Sequence, residues 1–123
     1  IQPVPYELLK NNVPTESSAT MRDRVIQARL IQQQRFANYN ATAKSPVHCN
    51  AQMSPRMVRD FCILSDECDR LLVFAMEKMG FSARAYDRIL KVARTIADLA
   101  QSENICPSHL LEAINYRILD KGE

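Results

Sequence analysis

Arg84, Arg88 and Lys91 stand at i, i+4 and i+7 of the run FSARAYDRILKVARTIADL, residues 81–99, so one helix face carries three cations in line. The chemistry open to such a stripe is anion binding. Ser82 is placed to cap this helix, and Phe81 to staple onto Tyr86 across the cap. Arg84 then falls in the first turn, where the helix dipole is positive and a cation is unfavourable by roughly 0.3–1 kcal/mol. A local rule is often broken where function needs it. An arginine beside unsatisfied helix N–H groups suits a phosphate. The competing reading is an ordinary solvated face, and the spacing alone leaves both open.

The remaining reactive residues form no recognisable active site. The four cysteines, Cys49, Cys62, Cys68 and Cys106, include no CxxC pair. With His48 and His109 they could assemble a zinc site, but structural zinc sites use closely spaced ligand pairs. Cys62 and Cys68 read instead as small buried hydrophobes, reduced as in a cytosolic protein. There is no GxxxxGK[ST] phosphate loop, no GxGxxG and no HExxH. Asp66, Glu67 and Asp69 sit together at a helix start, where acids complement the dipole. The chain alone offers no catalytic residue.

The elements that must position the stripe are helices. Residues 1–16 contain three prolines and read as an extended connector with a short turn at Tyr6–Leu9. Ser17 or Ser18 caps a long helix to about Asn38. Met21, Val25, Ala28 and Gln32 mark one side of it, Ile26 and Leu30 widen the apolar surface, and Arg22, Arg24, Arg29 and Arg35 make it basic. Residues 38–53 are polar and aperiodic, the longest expected loop. Ser54-Pro55 opens a short helix ending near Ile63, with Met53 and Val58 placed as a staple. Ser65 opens the next helix, whose stripe is Leu71, Leu72, Ala75 and Met79, and Gly80 closes it. The basic helix runs from Ser82 to about Ser102, burying Tyr86, Ile89, Leu90, Ala93, Ile96, Ala97 and Ala100. The last helix starts at Ile105–Pro107 and buries Leu110, Leu111, Ile114 and Ile118, with fraying expected over residues 120–123. The result is an all-α bundle of four to five helices joined by short loops.

Composition agrees. A chain of 123 residues suits one domain and can bury a core without staples. Two glycines and long periodic stretches favour helices over a turn-rich β fold. A net charge of +2 is too small to argue for nucleic acid by itself. No apolar run is long enough to span a membrane, and no signal peptide is visible. The chain starts at Ile1 rather than Met, which reads as a piece of a longer or processed protein.

FSARAYDRILKVARTIADLA resembles the C-terminal signature of magnesium-chelatase-related AAA+ ATPases of the bacterial ComM type. The likeness extends to ESSATMRDRVIQARLIQQQRF, with its R-x-R-V-x-x-A-R pattern from Arg22 to Arg29, to NAQM at residues 50–53, to HLLEAINYRILD, and to the opening IQPVPYELL. The resemblance implies a helical lid over residues 17–123, with residues 1–16 as the connector that follows an α/β ATPase core. It implies that Arg84, matching the S-x-R block, is the sensor-2 arginine that points at the γ-phosphate of ATP. Arg88, Lys91 and Arg94 are supporting candidates for the nucleotide or a neighbouring subunit, although all three could equally form a solvated face or intrahelical pairs such as Arg94–Asp98. It further implies ATP and Mg²⁺ in the full-length parent and none in this chain alone, hexameric neighbours, DNA as the partner of a branch-migration motor, no membrane, and a cytoplasmic location. Two alternatives stay open: a chelatase-type motor that remodels a protein or tetrapyrrole partner, and a stand-alone helical interaction module.

Overall fold

The computed structural model describes residues 17–119. Among these the fold is all-helical, with five α-helices and one 3-10 turn. They are α1 (Ser18–Asn40), the 3-10 turn Asn50–Gln52, α2 (Pro55–Phe61), α3 (Asp66–Met79), α4 (Ala83–Leu99) and α5 (Pro107–Leu119). The connector expected over residues 1–16, its turn at Tyr6–Leu9 and the fraying expected over residues 120–123 lie outside the described residues. No described helix is long and apolar enough to cross a membrane.

Serine starts four of the five helices. The side chains of Ser17, Ser54, Ser65 and Ser82 accept from the backbone N–H three residues on, at Thr20, Met57, Cys68 and Ala85. Each satisfies a donor that the first turn leaves without an intrahelical partner. At α5 the reach is reversed: the Cys106 N–H donates to Nδ1 of His109 at 3.0 Å. Gly80 ends α3 at φ 67°, in the left-handed region.

α4 is the central element. It is the most strongly amphipathic of the helices and packs against α5, α1, α2 and the 3-10 turn, while α3 packs on α5. The core gathers Phe36 from α1, Met57 and Val58 from α2, Leu72 from α3, Ile89, Leu90, Ala93 and Ala97 from α4, and Leu110, Ala113 and Ile114 from α5. Phe36 meets Phe61 edge-on, their ring centroids 5.4 Å apart. Cys62 and Cys68 are buried among these apolar groups, and both members of the Met53–Val58 staple are buried as well.

The structure departs from the periodicity in identifiable ways. The polar stretch after α1 is shorter and better packed than its composition suggests. α1 continues to Asn40, whose side chain both donates to the Val47 carbonyl (2.7 Å) and accepts from the Val47 N–H (2.8 Å), pulling Val47 into the core. Met21 and Val25 continue the buried line of Ala28 and Gln32, yet they are exposed, because the first turns of α1 run past the end of the core. α2 stops at Phe61, and α4 stops at Leu99, where Gln101 takes a positive φ of 56° and turns the chain. Ala100, Met79 and Leu111 are exposed, and Ala113 takes the buried place expected of Leu111.

Candidate functional site

An ideal helix turns 100° per residue, so positions 84, 88, 91, 95 and 98 of α4 lie within an arc of roughly 80°. One line therefore carries Arg84, Arg88, Lys91, Thr95 and Asp98. At its N-terminal end this line faces solvent. At its C-terminal end it passes beneath the 3-10 turn and α1, which pack on α4 there.

Arg84 is the second residue of α4, in a first turn that holds no acidic residue. It is exposed and makes no hydrogen bond or ion pair with any described residue. Its charge therefore stands beside the N–H groups of Ala83 and Arg84 with nothing described to neutralise it. Arg88 is exposed one turn on and borders a shallow hollow of about 160 Å³ between α4 and α5, shared with Val92, Tyr116 and Arg117. Lys91 is half-buried, and its Nζ donates to the Ala51 carbonyl in the 3-10 turn at 3.2 Å. The structure thus brings Arg84, Arg88 and Lys91 onto one line, with the last already tied to the fold.

Arg94 is a different case. It is 6% exposed, and its guanidinium is filled from within. Nε donates to Asp98 Oδ1 at 3.2 Å, Nη1 to the Glu103 carbonyl at 3.0 Å and Nη2 to the Ser102 carbonyl at 2.8 Å. The pairing with Asp98 is the one that the i, i+4 spacing offered. Arg94 also holds the carbonyls that follow α4, which the helix itself cannot satisfy.

Beneath the stripe lies a polar cluster centred on Asp98, which is fully buried. Arg35 of α1 grips its carboxylate with both ends of its fork, at 2.8 and 2.6 Å. Asn50 of the 3-10 turn donates to Asp98 Oδ2 (2.8 Å) and to Thr95 Oγ1 (3.1 Å), and accepts from Arg35 Nη1 (2.9 Å). Its backbone N–H donates to Gln32 Oε1 at 3.0 Å. No buried side-chain nitrogen or oxygen of the cluster is left without a partner, as burial demands. Cys62 lies beside it. Burial pushes that thiol up to about 11, against a smaller pull downward from Arg94 and Arg35.

Sequence reasoning did not single out Arg35, Asn50 or Gln32 as a unit. In the sequence Arg35 is one of four arginines that make the long helix basic, and Asn50 falls in the aperiodic stretch 38–53. The legible signal was Asp98, an acid at the edge of the buried arc of α4. Among the described residues, no three of His, Cys, Asp and Glu gather as they would to hold a metal ion.

Fold and site together define an all-helical domain whose central helix is locked at one end and presents arginine at the other. The chain belongs to the family described as magnesium chelatase, subunit ChlI C-terminal, whose model matches residues 15–117. It is 43% identical over 119 residues to the uncharacterized protein YifB of Escherichia coli (strain K12), a match spanning 97% of this chain and 22% of that protein. Over 119 residues it is 36% identical to the uncharacterized protein YifB of Salmonella typhimurium (strain LT2), with the same coverage of 97% and 22%. It is 41% identical over 104 residues to the competence protein ComM of Haemophilus influenzae, spanning 85% of this chain and 18% of that protein. The chain therefore spans about a fifth of the length of the relatives it matches. These matches identify it as the C-terminal domain of ComM-type, magnesium-chelatase-related proteins.

Proposed function

We propose that this domain is the lid of an AAA+ ATPase and that Arg84 is its sensor-2 residue, holding the γ-phosphate of ATP bound in the rest of the parent protein. The observation that carries the reading is Arg84 itself: exposed, without a described partner, and in the first turn of a helix where a cation is unfavourable by roughly 0.3–1 kcal/mol unless an anion joins it. Membership of the magnesium chelatase family supports the lid assignment.

The residues present fit a triphosphate. Arg84 offers a planar fork to phosphate oxygens, and Arg88 adds a cation one turn further along the same line. In phosphoryl transfer, charge spreads over the oxygens of the transferred group, and a guanidinium already in place stabilises it. Because α4 is locked to α1 through Asp98, contact at Arg84 is transmitted to the domain as a rigid body, coupling nucleotide state to lid angle. Arg94 serves the lock rather than the nucleotide. Mg²⁺ that accompanies ATP is assigned to the remainder of the parent, as is the chemistry of hydrolysis.

We further propose that the parent is a cytoplasmic motor that acts on DNA during branch migration and works as a hexamer; likeness to a protein named for competence supports the link to DNA uptake and nothing finer. The family description favours a second reading, a chelatase-type motor that remodels a protein or tetrapyrrole partner. One assay separates them: the ATPase rate of the full-length parent, wild type and Arg84→Ala, with and without branched DNA. Loss of turnover in a folded Arg84→Ala parent is the expected result, with DNA stimulation of the wild type. Normal turnover in Arg84→Ala removes the phosphate assignment. Wild-type turnover that ignores DNA favours the chelatase-type reading.

A further inference from the structure

We propose that Asn50 is a positioning residue for Arg84, setting the roll of α4 about its own axis and so the direction in which the arginine points. The proposal rests on the phosphate reading of Arg84.

The buried face of α4, with Ile89 and Leu90 in the core, sets its roll coarsely, and the finer angle is left to other contacts. Three of its buried residues, Ala85, Ala93 and Ala97, are alanines, which leave shallow ridges for neighbouring helices to engage. Directional bonds supply what the alanines lack. The Asn50 amide uses both ends at once, with Oδ1 accepting from Arg35 and Nδ2 donating to Thr95 and Asp98. Next to it, the Ala51 carbonyl accepts from Lys91. The three hydrogen bonds from this short turn to α4, at Lys91, Thr95 and Asp98, all fall on the line that ends in Arg84. On the other side, Gln32 and Arg35 tie the turn to α1. The 3-10 turn is thus a wedge that indexes α4 against α1. Buried polar groups are best attested in this role, as devices of register.

The displacement is large enough to matter, because a rigid helix carries a roll at Thr95 and Asp98 through to Arg84. A roll of about 20° moves a group at the outer helix radius of roughly 5–6 Å by about 2 Å. Misplacing a catalytic group by about 1 Å can cost roughly a hundredfold in rate.

The test is a double-mutant cycle in the full-length parent, comparing wild type, Asn50→Ala, Arg84→Ala and the double variant at a temperature where circular dichroism shows all four folded. ATP affinity and turnover are both measured. Asn50→Ala is expected to weaken ATP binding roughly 3- to 10-fold, and the double variant to be no worse than Arg84→Ala alone, because a displaced arginine has nothing further to lose. Thr95→Val, which removes one bond of the wedge with little change of shape, is expected to show the same effect more weakly and serves if Asn50→Ala does not fold. Losses that multiply in the double variant, or an Asn50→Ala parent that melts earlier but binds ATP normally, overturn the proposal while leaving Arg84 as a phosphate ligand. An Arg84→Ala parent indistinguishable from wild type removes the phosphate reading and the positioning role with it.

Discussion

Arg35 and Asp98 stand 63 positions apart in the chain and face each other through two parallel hydrogen bonds of 2.8 and 2.6 Å. The carboxylate is fully buried, and the Arg35 side chain is only 12% exposed. With Arg94 and Asn50 also donating to it, Asp98 accepts from α1, from the 3-10 turn and from its own helix. This is the point at which the longest helix and the central helix become one body. A buried pair of this kind adds little stability over a well-packed apolar substitute, but breaking one half of it leaves charges stranded.

Asp98→Ala is therefore expected to be the most damaging single truncation in the cluster, costing about 3–5 kcal/mol as Arg35 and Arg94 lose their anion in a dry site. Arg35→Lys keeps the charge but offers a point where there was a fork, and should cost about 1.5–3 kcal/mol. Urea midpoints of the two variants against wild type check the order. An Asp98→Ala protein as stable as wild type would mean that the cluster is better solvated than its burial implies.

Arg84 should show stability and function moving apart. Removing a cation from the first turn of α4 relieves its conflict with the helix dipole, so Arg84→Ala is expected to leave this domain unchanged or more stable by about 0.3–1 kcal/mol. Arg84→Glu should stabilise further, since an acid complements that end of the helix. Thermal melts of the domain read this directly. A clear drop in melting temperature for Arg84→Ala would assign the arginine a structural contact and weaken the case for a ligand.

What could be read from the residues was local. The serine caps, the glycine after α3, the Ser54-Pro55 start and the apolar stripe of α4 follow from rules acting over one or two turns, and each is present. The place of Arg84 in the first turn of α4 was legible for the same reason, as a breach of a first-turn rule, whereas its role as a phosphate ligand is a proposal. The clamp was not. Arg35, Asn50 and Asp98 are individually ordinary polar residues, and nothing in their spacing shows that they converge. Convergence depends on where α1 crosses α4, which the core decides. The exposure of Met21 and Val25 was hidden likewise, because a helical period states which residues share a face but not where the neighbouring core ends.

Gly80 tests the closing turn of α3. Its φ of 67° lies in the left-handed region, and a Cβ added there would meet nothing within 4 Å. The cost of Gly80→Ala is thus purely conformational, about 1–2 kcal/mol. Gly80→Asn should cost less, since asparagine tolerates this region. Denaturation midpoints falling in the order glycine, asparagine, alanine are the expected result. Equal midpoints for all three would show that the turn relaxes out of the left-handed conformation at little cost.

Alkaline pH should destabilise the domain through Cys62. Burial raises its thiol from 9.0 to about 11, so between those values an unfolded chain has lost the proton that the folded chain keeps. The unfolded state then binds fewer protons, and stability falls as pH rises, by up to about 1.4 kcal/mol per pH unit and ~3 kcal/mol across the window. Tyr86, raised chiefly by burial and also by Asp69 and Asp87, adds to the fall with the same sign but less strongly, being half-buried. Below about pH 9 neither group contributes a slope, because both states hold both protons. Urea midpoints of wild type and Cys62→Ala, followed from neutral pH upward, separate this effect from general alkaline unfolding. The wild type should lose stability faster above pH 9, and the two curves should converge as the thiol's advantage disappears. Parallel curves would show that water reaches Cys62 and that the wall of the Asp98 cluster is open on that side.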